Sequence, residues 1–310
     1  MASVLDSLPH ASRVAIIRLR SLGDCVLTTP ALELLKRHRP DLRVAVVVED
    51  RFREVFEDHP AVDQILPADL ASLRAYRPRL CLNFHGGARS AWMTALSGAR
   101  HRAGFGHYRR RFVYNVLIPR AQEILGVDRK VHTAEHLASA MFYLGVPRTE
   151  IPRASLGPAG QAGPRPARPG EAHAYAILHP VAATPAKTWP ADRFLEIARH
   201  LEAAGVNPIF IGGPADDLSP FARYHTISGA PLSEVKSLLA AASLFVGNDS
   251  GPAHMAAAFG LPAVVLFGSS DPEIWGPWRA AGEALRDSAG IAAIPVDRVL
   301  QALQRLRVHA

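Results

Sequence analysis

Residues 245–271 run from an apolar stretch ending at Asn248 into Asp249-Ser250-Gly251, then a small-residue stretch carrying His254, then a second apolar run, Ala263 to Phe267. A helix opening at Asp249-Ser250-Gly251 would aim its first N–H groups and the positive end of its dipole past the strand, where a phosphate can bind. Ser250 adds a hydroxyl, Gly251 lets a ligand approach the backbone, and His254 falls about one turn further on the same side. Asp, Ser and Gly are also ordinary capping residues, so the segment alone reads equally as a helix cap with a satisfied histidine behind it.

Four other places carry usable groups. Asp24 follows Gly23 where a first strand gives way to a helix, and its carboxylate suits either a cap or a general base. Lys187, in the loop His179 to Pro190, offers a point charge to a diphosphate or is simply solvated. Asp216 and Asp217, after Gly212-Gly213, could bind ribose hydroxyls or start a helix. The segment Arg100 to Arg111 is the densest basic patch, able to hold a phosphorylated acceptor or an anionic lipid surface, or to stand as a solvated charge run. His85 to Arg89 could reach a cleft from the first half.

These groups need a scaffold. Val14–Leu19, Val44–Val48, Val62–Leu66 and Leu80–Asn83 read as strands, with helices over Val26–His38, where Pro30 sits near the first turn, and Phe52–Glu57. Residues 157–172 are rich in Pro and Gly and read as a linker. The pattern then restarts with strand Ala174–Leu178, helix Ala191–Ala204, strand Pro208–Ile211 and helix Leu232–Ala241, and ends in a helix from Val296 to about Arg307 that could pack on either half. This alternation predicts an α/β fold with parallel sheets: one Rossmann-like domain over 1–156 and another over 173–310. Asp24, His85, Lys187, Gly212-Gly213 and Asp249 each closely follow an expected strand, which predicts a shared cleft at the strand ends.

The 310 residues are 48% hydrophobic and 20% charged, as in a soluble globular protein. No apolar run reaches membrane-span length and the N-terminus lacks a signal-type apolar core, so the cytoplasm is the expected location. Cys25 and Cys81 are too few for a disulfide framework or zinc site. The net charge of +7 suits an anionic partner or reflects an Arg-rich composition. No Gly-x-Gly-x-x-Gly follows a strand and no Gly-x-x-x-x-Gly-Lys loop occurs, which weighs against dinucleotide oxidoreductases and P-loop nucleotidases. No Asp-x-Asp is present to hold a metal on a diphosphate.

In combination, Arg18-Leu-Arg-Ser-Leu-Gly-Asp24 through Thr29-Pro30, Leu178-His-Pro180 through Lys187-Thr-Trp-Pro190, Gly212-Gly-Pro-Ala-Asp216, and Asn248-Asp-Ser-Gly-Pro-Ala-His254 through Gly268-Ser-Ser-Asp271 resemble glycosyltransferase family 9, the bacterial lipopolysaccharide heptosyltransferases. Asn83 to Ser90 and Arg102 to Phe105 are similar more weakly. The resemblance implies a GT-B fold with two Rossmann-like domains facing a central cleft, and an inverting mechanism that needs no metal or cofactor. Its substrates would be a nucleotide sugar, ADP-heptose, and an anionic glycolipid such as a lipopolysaccharide core. Nucleic acid is not an implied partner, and peripheral contact with the inner membrane is. Asp24 would be the base and Lys187 the catalytic anchor for the leaving group. Thr184, Asp216, Asp249, Ser250, Gly251 and His254 would join Lys187 on the donor, with Asp216 on its ribose. Gly23, His85, Arg89, Arg102, Arg109 and Arg110 would serve the acceptor. Two departures stand out: Asp249-Ser250-Gly251 replaces the family's Asp-Thr-Gly, and Ala182-Ala183-Thr184 lies where hydroxyl residues are common. A sugar-nucleotide epimerase or hydrolase on the same scaffold, and a non-catalytic nucleotide-sugar-binding protein, are the alternative readings.

Overall fold

The structure, a computed structural model, describes residues 3–157 and 174–306. The expected linker therefore lies outside the described residues, Gly157 apart. The chain divides into two compact units, Met1–Gly157 and Pro158–Ala310.

The first unit holds strands β1 (Arg13–Ile17), β2 (Arg43–Val48), β3 (Gln64–Pro67), β4 (Leu80–Asn83), β5 (His101–Phe105) and β6 (Val116–Ile118). Its helices are α1 (Leu22–Val26), α2 (Thr29–His38), α3 (Leu70–Tyr76), α4 (Ala88–Leu96), α5 (Ala121–Leu125) and α6 (Thr133–Leu144). The second holds β7 (Tyr175–His179), β8 (Asn207–Gly212), β9 (His225–Ser228), β10 (Leu244–Asn248), β11 (Ala263–Phe267) and β12 (Gly282–Arg286), with helices α7 (Ala191–Ala203), α8 (Leu232–Ala241), α9 (Gly251–Phe259), α10 (Pro272–Trp275) and α11 (Val296–Arg305).

Each unit is one parallel sheet of six strands, ordered β3-β2-β1-β4-β5-β6 and β12-β11-β10-β7-β8-β9. The two orders are the same topology read from opposite ends. The central strands are continuous apolar runs because helices cover both faces of a parallel sheet. In each sheet the order reverses between its first and fourth strands, β1 beside β4 and β7 beside β10. Ligands of such sheets collect at that switch point, beyond the carboxyl ends of the strands.

The helix expected over Val26–His38 begins at Thr29 as α2, and a separate short helix, α1, precedes it. Pro30 has no N–H to give the Val26 carbonyl, and the Thr29 hydroxyl takes that carbonyl instead at 2.8 Å. Thr28 Oγ1 likewise caps the Asp24 carbonyl at 2.8 Å. The Phe52–Glu57 helix is a 3-10 turn over Asp50–Val55. Within the basic segment the chain forms β5, which Arg102 and Gly104 had disguised. The final helix buries Val299, Ala302 and Leu303 in the second unit's core, against α7 and β11.

Candidate functional site

In the first unit, β1 runs almost directly into α1, and Asp24 is the third residue of that helix. Its Oδ2 accepts from the Ser21 hydroxyl at 3.0 Å, while Oδ1 lies 3.3 Å from the Arg18 guanidinium. Arg18 is buried and Asp24 keeps about a quarter of its side chain exposed. Cap and candidate base are thus one carboxylate, oriented by two neighbours and open on one side. Gly23 is buried beneath it.

His85 comes to the same place from the adjacent strand. The buried Asn83, last residue of β4, accepts from the N–H groups of His85 (2.9 Å) and Gly86 (3.0 Å). Its amide donates to Ser90 Oγ at 3.1 Å and Tyr114 OH at 2.8 Å. Gly86 has φ +73°, and a Cβ there would strike the Tyr108 ring, so only glycine fits this turn. Burial, then the Arg18 and Arg20 charges, hold the His85 ring below its usual pKa, opposed by Asp24.

The other acceptor-side residues part company. Arg89 is tied to Glu49 (3.8 Å) and to the Ala68 carbonyl. Arg102 spends its guanidinium on the Val113 carbonyl at 3.1 Å and the Ala99 carbonyl at 3.5 Å, bracing the β5–β6 connection. Arg109 is exposed and Arg110 half-buried in the turn after β5. Cys25 and Cys81 are buried, and burial pushes both thiols up to about 12, far from a reactive thiolate.

In the second unit the strand-end groups converge more tightly. Lys187 Nζ lies 3.1 Å from Asp249 Oδ2, linking the loop after β7 to the loop after β10. Asp249 is nearly buried, so its carboxylate orients the ammonium of Lys187, whose side chain stays about a third exposed. Ser250 is the N-cap residue of α9 yet makes no side-chain cap. Its Oγ instead sits 3.1 Å from His179 Nδ1. Burial pushes His179 down to about 4, with Asp216 opposing, so the ring is neutral at pH 7. Gly251 opens α9 and His254 is buried in its second turn.

Three devices hold this loop. The buried Asn248 accepts from Trp189 N at 3.1 Å and donates to the Pro180 carbonyl at 2.8 Å. Trp189 is fully buried and donates its indole N–H to the Ile294 carbonyl at 2.9 Å. Gly268, just past β11, lies so close under the Ala186 carbonyl that any Cβ would collide with it. Thr184 is exposed, and its carbonyl accepts from Lys187 N at 3.0 Å. Asp216 is exposed after β8, with Oδ2 accepting from Gly213 N at 2.7 Å; Asp217 caps the following turn through Ser219 N at 2.9 Å. Among the described residues, no three His, Cys, Asp or Glu side chains gather as a metal-ligand set.

Arg18, Asn83, His179 and Asn248 were not among the expected site residues. A polar residue at the end of an otherwise apolar, buried strand was the available signal, because such a group must find partners.

Comparison with known proteins gives this geometry a family. The family model for "Glycosyltransferase family 9 (heptosyltransferase)" matches residues 70–292. Lipopolysaccharide heptosyltransferase 3 of Escherichia coli K12 is 25% identical, aligned over 93% of this chain and 96% of its own. Lipopolysaccharide heptosyltransferase 1 of the same strain is 26% identical over 85% and 90%. The crystal structure of a family 9 glycosyl transferase from Veillonella parvula matches with a TM-score of 0.81 at 22% identity, covering 96% of this chain and 97% of that one. The E. coli heptosyltransferase WaaC with ADP matches at 0.80 and 20%, covering 95% and 99%. The fold is therefore the GT-B type of two Rossmann-like units, and the chain belongs to glycosyltransferase family 9, the heptosyltransferases, and is a glycosyltransferase.

Proposed function

We propose that this enzyme transfers heptose from ADP-heptose, with inversion and without a metal, to a lipopolysaccharide core or related anionic glycolipid at the cytoplasmic face of the inner membrane. The observation that carries the reading is the Lys187–Asp249 pair at the opening of α9. An ammonium fixed by a nearly buried carboxylate, beside helix N–H groups, is a preorganised counter-charge for a departing diphosphate.

In this reading an acceptor hydroxyl oxygen attacks the anomeric carbon as the bond from that carbon to the ADP oxygen breaks. The hydroxyl proton passes to Asp24, and the electron pair leaves with ADP, whose charge Lys187 and the first N–H groups of α9 neutralise. One displacement inverts the anomeric centre. Arg18 and Ser21 aim Asp24, His85 stands beside its open side, and Arg109 and Arg110 attract acidic groups of the acceptor. Asp216 takes ribose hydroxyls, and Ser250, His254 and Thr184 complete the donor contacts. E. coli relatives solved with ADP and with ADP-2-deoxy-2-fluoro heptose support the donor assignment.

Calorimetric titration of the purified protein with ADP, UDP, GDP and ADP-heptose tests it. ADP and ADP-heptose are expected to bind and the other two to bind weakly. Preference for UDP or GDP would overturn the donor. Consumption of ADP-heptose at an unchanged rate without acceptor would overturn the transfer reading in favour of hydrolysis or epimerisation.

A further inference from the structure

The positive charge of this chain is concentrated. Residues 70–122 contain ten arginines and no lysine, aspartate or glutamate, more than the net +7 of the whole protein. The same segment carries most of the large apolar side chains left exposed among the described residues. These are Trp92 (51%), Leu96 (52%), Phe112 (73%) and Leu117 (43%), with Tyr143 outside it.

Local structure explains why they point outward. The inner face of α4 packs Ala91 and Ala95 on Val113 and Tyr114. Trp92 and Leu96, one residue on from Ala91 and Ala95 and one turn apart from each other, share a face turned about 100° from that inner one. The 3-10 turn Arg111–Val113 lies against α4 and buries Val113, which leaves Phe112 outside. Trp92 and Phe112 meet edge to face, with ring centroids 6.3 Å apart, as an exposed apolar ridge. Arg109, Arg110 and Arg111 immediately precede Phe112. Arg111 and Leu117 also line a cavity of about 460 Å³ with His107, Arg120 and Glu123, a recess with two arginines and one carboxylate in its wall.

Aromatic side chains on an exposed ridge suit the interfacial layer of a bilayer, and arginines beside them suit anionic headgroups. We propose that the Trp92–Phe112 ridge, with Leu96, docks the first unit on an anionic phospholipid bilayer. The ridge inserts between headgroups while Arg111 and Arg120 hold lipid phosphates. This deepens the membrane contact proposed above and rests on that reading only in taking the acceptor to be a membrane glycolipid.

Co-sedimentation with vesicles of phosphatidylglycerol and phosphatidylethanolamine, against vesicles of phosphatidylcholine, tests it. Wild type is expected to bind the anionic vesicles and to be released by salt. Trp92→Ala with Phe112→Ser should weaken that binding at least about tenfold, as loss of two buried aromatics predicts. Phe112→Ser alone, at a site already mostly exposed, should weaken it partly without lowering the thermal midpoint. Both variants should retain wild-type turnover of a lipid-free acceptor saccharide while losing rate on acceptor embedded in vesicles. Equal binding to neutral and anionic vesicles, unchanged binding of the double variant, or a wild-type dimer that the double variant dissolves would each overturn the proposal. No turnover of the saccharide by wild type would instead count against the acceptor assignment, because vesicle binding is read separately.

Discussion

The two units share one sheet topology but handle the strand ends differently. Each ends its fourth strand in a fully buried asparagine, Asn83 on β4 and Asn248 on β10. Asn83 ties down the loop that follows its own strand, and so sets His85 beside Asp24. Asn248 reaches sideways to the loop after the neighbouring strand β7, and so sets Lys187 against Asp249. The first unit leads straight from strand to short helix and presents one open carboxylate. The second inserts a loop of eleven residues between β7 and α7, pinned at Asn248, Trp189 and Gly268, and presents a fixed cation. The same scaffold thus yields a part-exposed carboxylate in one unit and a carboxylate-held cation in the other.

Exchanging the charged groups probes that division most strongly. Asp24→Asn keeps the shape and the Ser21 and Arg18 neighbours but cannot take a proton. Transfer should fall by about 10²–10⁴-fold while ADP affinity by calorimetry stays within about twofold. A matching loss of ADP affinity would erase the contrast between the units. Lys187→Ala should do the reverse, weakening ADP binding by roughly 10–10²-fold as a charge-assisted contact is lost. Unchanged affinity would remove lysine from the anion site.

The asparagines come next. Asn83→Ala strands four partners and Asn248→Ala two, so urea denaturation should show the first variant destabilised by about 2–4 kcal/mol and the second by about 2. Only Asn248→Ala should also weaken ADP binding, because only it frees the loop that carries Lys187.

The pH dependence of stability reaches both units. Burial pushes His136, stacked 4.1 Å from Phe105, and His179 each from an ordinary 6.5 down to about 4. Between those values the unfolded chain binds more protons than the folded one, so stability rises with pH across that window. The contribution is fully present above about pH 6.5 and is lost as pH falls through 4. Thermal midpoints between pH 7 and 4 should show the decline, and His136→Phe should flatten it in part.

Much of this was legible in the residues. The strands β4 and β10, the paired β/α halves and the helix start at Ser250 all follow from apolar runs punctuated by Gly, Pro and capping residues. The edge strands β6, β9 and β12 were not, since a strand with one neighbour needs little apolarity. The break between α1 and α2 was also hidden. Pro30 reads as a first-turn proline, but the hydroxyl bonds of Thr28 and Thr29 that separate the helices depend on their rotamers.

Sequence alone determined which chemistry was available: Asp24, Lys187, the Asp249-Ser250-Gly251 turn and a cluster of arginines, each close to the end of a strand. Tertiary structure decided which of these groups are free to act. Parallel pairing of β1 with β4 and of β7 with β10 brings residues about 60 apart to one strand edge, and no local pattern encodes that adjacency. It then spent Arg89 and Arg102 on carboxylate and carbonyl partners, turned Ser250 from its own helix to His179, and left Trp92 and Phe112 in the open. A side chain's hydrogen-bonding capacity is written in its type, but the partner that uses it is chosen by packing.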